Sequence, residues 1–172
     1  MSVTDSRVRT LLTDTEFNGV VASVKGNNPG MAEELAARIV GEGLKFVATA
    51  AHFRTEPISP SRVVDEGWHA LILHTALYAE LCGRLGGFVH HYPETPETSR
   101  HDGGAIARTV ALIEEAGYTP DMELWKGQEK ELVTVAAPFW HTPRPGGCGP
   151  IGPQGPRHCS SGGDSGEQTP KN

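Results

Sequence analysis

The side chains able to hold a metal or move a proton are densest between Ser59 and Pro93, SPSRVVDEGWHALILHTALYAELCGRLGGFVHHYP. His69, His74, His90 and His91, four of the eight histidines, fall there with Trp68, Tyr78 and Cys82. Asp65 and His69 are four residues apart, so on a helix they share one face. A carboxylate in that position can accept the imidazole N–H, fix its tautomer and raise its basicity. Such a pair suits a general base, or a metal ligand and the group that orients it. His74 lies about 140° around a continuous helix from His69, at ~100° per residue, so these two do not grip one ion together. His90 and His91 follow the Gly86-Gly87 break, which lets the chain return toward His69. In extended backbone the two histidines point to opposite sides, leaving one for a shared site. Asp65, His69, His90 and His91 are therefore the candidate metal set, and a divalent metal such as zinc or iron is the cofactor it would take. Trp68, Tyr78 and Cys82 are the candidate ligand-binding residues beside it.

Each of these residues also has a plainer use. Asp65–His69 can be a surface ion pair, Trp68 and Tyr78 can be core aromatics, and Cys82 can be a small buried residue. His141, Cys148, His158 and Cys159 offer two cysteines and two histidines to zinc, but their spacing fits no standard finger and no apolar segment surrounds them. No glycine-rich phosphate loop follows a strand, and no nucleophile elbow is present.

The elements that must position this set can be read from apolar spacing and turn residues. Asp14 to Lys25 reads as a short helix through Phe17, Val20, Val21 and Val24. After the GNNPG turn at 26–30, Pro29 opens a second helix along Met31, Leu35, Ile39, Leu44 and Val47 toward His52. Gly41 and Gly43 weaken its middle by about 1 kcal/mol each relative to alanine. Ser59 as N-cap and Pro60 at the first helical position start one long helix, carrying Val64, Trp68, Leu71, Ile72, Thr75, Tyr78, Ala79 and Cys82 to the double glycine. Phe88 to Tyr92 is extended, because Pro93 restricts the residue before it. A polar loop at 94–104 leads to a helix from Ala105 to Ala116 ended by Gly117, then a short helical turn at Pro120 to Trp125. Leu132 to Trp140 is either a strand or an extended arm. The expected fold is an all-α bundle of four to five helices over 14–126, after a flexible segment at 1–13. An extended arm at 127–142 and a disordered Gly/Pro-rich tail at 143–172 follow.

Composition narrows the function classes. The formal charge of −6 and the lack of a basic run interleaved with aromatics argue against nucleic acid as a partner. No apolar run approaches the ~20 residues of a membrane span, and the first residues carry no apolar signal core, so a soluble cytoplasmic protein is expected. Three cysteines cannot all pair within one chain, and reduced thiols are expected, with a Cys148–Cys159 bridge or metal clip as the alternative.

The segment VDEGWHALILHTALYAELCGRLGGFVHHYPE resembles the signature of the glycine-rich domain-containing protein family. That signature is an Asp-x-x-Trp-His helix followed by a Tyr, a Cys or polar residue, a Gly, and a His near a Pro. The matching positions are Asp65, Trp68, His69, Tyr78, Cys82, Gly87, His90 or His91, and Pro93, within a similarity over roughly residues 30 to 126 that includes PDMELW at 120–125. Some similar proteins end in a Cys- and Gly-rich tail; here the tail has Cys148 and Cys159 alone. The resemblance implies a helical fold and the same side-chain cluster, and names no reaction. Two readings stand. The chain is a metal- or small-molecule-binding helical protein using Asp65, His69 and one of His90 and His91, or it is a noncatalytic protein-interaction module in which the Trp-His-Tyr cluster locks packing.

Overall fold

The computed structural model describes residues 7–93, 104–126 and 141–145. Six helices and two strands follow in the order α1 (Asp14–Asn27), α2 (Glu33–His52), α3 (Arg62–Leu73), α4 (Thr75–Arg84), β1 (Val89–Pro93), α5 (Ala105–Glu115), α6 (Met122–Lys126) and β2 (His141–Pro145). The fold is all-α, with one two-stranded antiparallel ribbon in which Val89 pairs with Pro145, His91 with Pro143 and Pro93 with His141. Among the described residues, no helix is long and apolar enough to cross a membrane.

Local chemistry sets the helix ends. Thr13 and Glu16 form a reciprocal capping box at α1, with Thr13 N–H on Glu16 Oε2 at 2.7 Å and Glu16 N–H on Thr13 Oγ1 at 3.3 Å. The Ser61 hydroxyl caps α3 by accepting the Val64 N–H at 3.2 Å, and donates to the Leu124 carbonyl at 2.7 Å. One side chain thus starts a helix and ties the end of the domain to it. Gly117, at φ +84°, takes the left-handed position after α5.

α2 is the central helix, packed against α1, α3, α5 and both strands. Its closest partner is α3, and the crossing runs through glycine. A Cβ on Gly43 would meet the Gly67 carbonyl carbon at 2.9 Å, and one on Gly67 would collide with the Ile39 carbonyl oxygen. Gly43, a weakness by helix propensity alone, is therefore where the two backbones touch. Around that contact Ile39, Leu44, Phe46, Val64, Trp68 and Leu71 are fully buried. Phe46 packs on Trp68 and Trp125 with ring centroids 5.1 and 6.4 Å apart, contacts worth about 0.5–1.5 kcal/mol each beyond the area they bury.

Several expectations are corrected. The single helix from Ser59 is two helices, starting at Arg62 and broken at His74, whose ψ of 66° is not helical. Its stripe is only partly inward: Val64, Trp68, Leu71, Tyr78 and Cys82 are buried, whereas Thr75 and Ala79 are exposed. The second helix starts at Glu33, after Ala32, four residues later than Pro29. Residues 7–9 form a helical turn, and Val8 and Leu12 join the core, so the flexible start expected through residue 13 does not extend over 7–13. Residues 143–145, expected in the tail, belong to β2 because they pair with β1. The expectations for 127–140 and for 146–172, including Cys148, His158 and Cys159, fall outside the described residues.

Candidate metal centre

Two elements deliver the centre. α3 supplies Asp65 and His69 one helical turn apart, and β1 supplies His91 after the chain reverses at Gly86-Gly87. Asp65 Oδ2 lies 3.5 Å from His69 Nδ1, and Asp65 Oδ1 lies 3.6 Å from His91 Nε2. One ligand atom from each of the three residues falls within 4.8 Å of the other two. The imidazole rings of His69 and His91 stand 4.4 Å apart, tilted by 57°. The Asp65 side chain is 9% exposed and His91 14%, but His69 is 31% exposed, so the cluster opens to solvent on the His69 side.

These separations carry chemical information. They exceed a charge-assisted hydrogen bond by more than half an ångström. Each runs to a different oxygen of Asp65 and is close to the spacing of two ligand atoms on a tetrahedral ion, about 3.4 Å for bonds of 2.0–2.1 Å; a set with one atom from each residue lies within 4.8 Å, so the side chains would close slightly on an ion. An ion between the two imidazoles would place a positive charge beside the buried Asp65 carboxylate. Two imidazole nitrogens and one carboxylate oxygen suit zinc or ferrous iron, and three protein ligands leave a position for water or another ligand.

Strand alternation separates the adjacent histidines. His91 faces the centre, and His90 packs against Phe88 with ring centroids 4.7 Å apart; burial pushes its imidazole pKa down. His90 is therefore outside the group that the structure brings together.

Trp68, Tyr78 and Cys82, expected to bind a ligand, are buried at 0%, 3% and 1% exposure. The Trp68 indole N–H donates to Tyr78 Oη at 2.9 Å, and the Tyr78 hydroxyl donates to the Val89 carbonyl at 2.6 Å. This chain of bonds ties α3 and α4 to the start of β1, two residues before His91. The Trp68 ring also lies 4.5 Å from the His91 ring. Burial pushes the Tyr78 hydroxyl and the Cys82 thiol above their ordinary pKa values. The Trp68 and Tyr78 bonds hold the strand that brings His91.

Sequence reasoning missed three polar links. Ser23 Oγ and His74 Nε2 are 2.9 Å apart and join α1 to the α3–α4 break. The Asn28 amide donates to Glu66 Oε1 at 3.0 Å, next to Asp65 in the chain. Glu42 on α2 accepts from Lys45 Nζ at 2.6 Å and from the Trp125 indole at 2.7 Å, while Lys45 also donates to the Thr119 carbonyl at 2.7 Å. The i,i+3 spacing of Glu42 and Lys45 was visible, but nothing local marked that pair for burial.

No curated protein and no solved structure matches the chain. A family model described as UCP032817-like matches residues 7–112, more than half of the chain, a span that includes Asp65, His69 and His91. The chain belongs to the UCP032817-like family.

Proposed function

We propose that this protein binds one divalent cation, zinc or ferrous iron, through Asp65, His69 and His91, and that it presents an open coordination position on the His69 side. The observation that carries the reading is the convergence of one ligand atom each from Asp65, His69 and His91, delivered by α3 and β1, within 4.8 Å of one another. The Asp-x-x-Trp-His helix also resembles that of glycine-rich domain-containing proteins, which supports the same location. Partial exposure of His69 suits a small-molecule partner at the open position, and the net charge of −6 disfavours nucleic acid. Elemental analysis of the purified chain should find about one metal per chain, lost on His69→Ala with the helical circular dichroism retained. A metal-free wild-type chain that cannot be reloaded, or metal that persists in His69→Ala, would refute the reading.

A second reading has its own support. The Trp68–Tyr78–Val89 bonds and the tilted contact of Trp68 with His91 are packing devices, as an interaction module without chemistry would need. In that case His69→Ala lowers stability and changes no metal content.

A further inference from the structure

Three arginines line one cavity without an ion-pair partner among the described residues, in a chain with 21 acidic residues against 15 lysines and arginines. Arg9, Lys25, Arg38 and Lys45 each hold a carboxylate at 2.5 to 3.1 Å. Among the described residues, none lies within ion-pair distance of Arg7, Arg54 or Arg84. All three line a cavity of about 640 Å³ whose wall includes Leu85, Tyr118 and one acid, Glu115. None of its lining residues belongs to the metal centre.

Arg54 is held in a built position. Its Nε donates to the Ala51 carbonyl at 3.1 Å, and Nη2 donates to the Gly86 carbonyl. Gly86 has φ +82°, and a Cβ on Gly87 would sit 2.6 Å from the Arg54 Cζ. The double glycine thus has a second use besides turning the chain toward β1: it makes room for this guanidinium. Two backbone carbonyls fix the group without neutralising it. The C-terminal ends of α2, α4 and α5 also meet here, each bringing about half a negative charge. With the Glu115 carboxylate they offset most but not all of three full positive charges, and each guanidinium has five N–H donors to place.

We propose that this cavity binds the phosphoryl group of a small molecule, held by Arg7, Arg54 and Arg84. A carboxylate brings one charge and two oxygens, which one guanidinium fork satisfies. A phosphoryl group brings nearly two charges and three oxygens, enough for three. It fills a small part of 640 Å³, and the remainder, beside Tyr118 and Leu85, has room for the rest of a small molecule.

Calorimetric titration of the full chain at low salt tests this with phenyl phosphate, inorganic phosphate and benzoate. Phenyl phosphate should saturate, benzoate should not, and Arg54→Ala and Arg84→Gln should each weaken binding by about tenfold or more. Arg84 is exposed, so its variant keeps the test valid if Arg54→Ala fails to fold. Tighter binding of phenyl phosphate identifies a phosphate ester as the ligand, and equal binding identifies free phosphate; both, with the arginine dependence, uphold the site. No saturation by either phosphate below about 10 mM, or affinity unchanged in Arg84→Gln, would overturn it and leave the arginines as caps of the helix ends.

Discussion

Two polar clusters sit on the two most tightly packed helices, and they are built to different tolerances. Glu42, Lys45 and Trp125 close on one another at 2.6 and 2.7 Å, with both charged side chains almost fully buried. Asp65, His69 and His91 approach to 3.5 and 3.6 Å, with one edge open to water. The first spacing is a complete set of hydrogen bonds, a clasp holding residues 119–125 against α2. The second is looser than a clasp, and on the proposed reading it is a set of ligands that would close on an ion. Removing a member of the first should therefore unfold the protein, whereas removing a member of the second should unload it.

The largest effect should come from Lys45→Met, which leaves the Glu42 carboxylate buried without its cation. The expected loss is about 3–5 kcal/mol in urea unfolding at pH 8. Burial already pushes the Glu42 pKa above the usual carboxylate range, against the pull of Lys45. A carboxyl raised in the folded state favours folding while protonated, and that contribution is lost as pH rises through its folded value. The deficit of Lys45→Met should thus shrink as pH falls from 8 toward the ordinary carboxylate range; a deficit independent of pH would mean that Glu42 is not its source. Tyr78→Phe comes next. It takes the acceptor from the Trp68 indole and the donor from the Val89 carbonyl, at about 1–3 kcal/mol. It should also weaken metal binding, because β1 loses its anchor near His91; unchanged affinity would separate the two regions completely.

Smaller effects sharpen the contrast. Ser23→Ala removes the bond to His74 and should lower stability by about 0.5–1.5 kcal/mol without touching metal affinity. Asp65→Asn, unfolded in the presence of a chelator, should change stability by less than about 1 kcal/mol while abolishing metal uptake. A loss comparable to that of Lys45→Met would make the second cluster a clasp like the first.

The contrast also marks where sequence reading succeeds. Asp65 and His69 were legible because helical spacing alone brings them together. The choice between His90 and His91 was legible as a constraint, since alternation admits one histidine, but which one depends on the register of β1 against α3. The break at His74 was hidden because the stripe Trp68, Thr75, Cys82 runs straight across it, with no glycine or proline to mark it. A long-range bond to Ser23 accompanies that break. Glu42 and Lys45 look like an ordinary solvated pair until residues more than seventy positions later cover them. Gly43 reads as a helix defect until Gly67 is found against it. In each case the missing information is a tertiary contact, and local propensity has no access to it.

The most direct test of the central claim is a competitive zinc titration of the metal-free chain against a chromophoric chelator, run in parallel on His91→Ala. This variant removes the one ligand that depends on the chain reversal and leaves the Asp65–His69 helical pair intact. Wild type should take up about one zinc per chain, with occupancy falling on acidification as protons compete for the ligands, and His91→Ala should take up none while keeping its helical spectrum. Equal zinc uptake by the two proteins, or uptake by neither, would contradict the account.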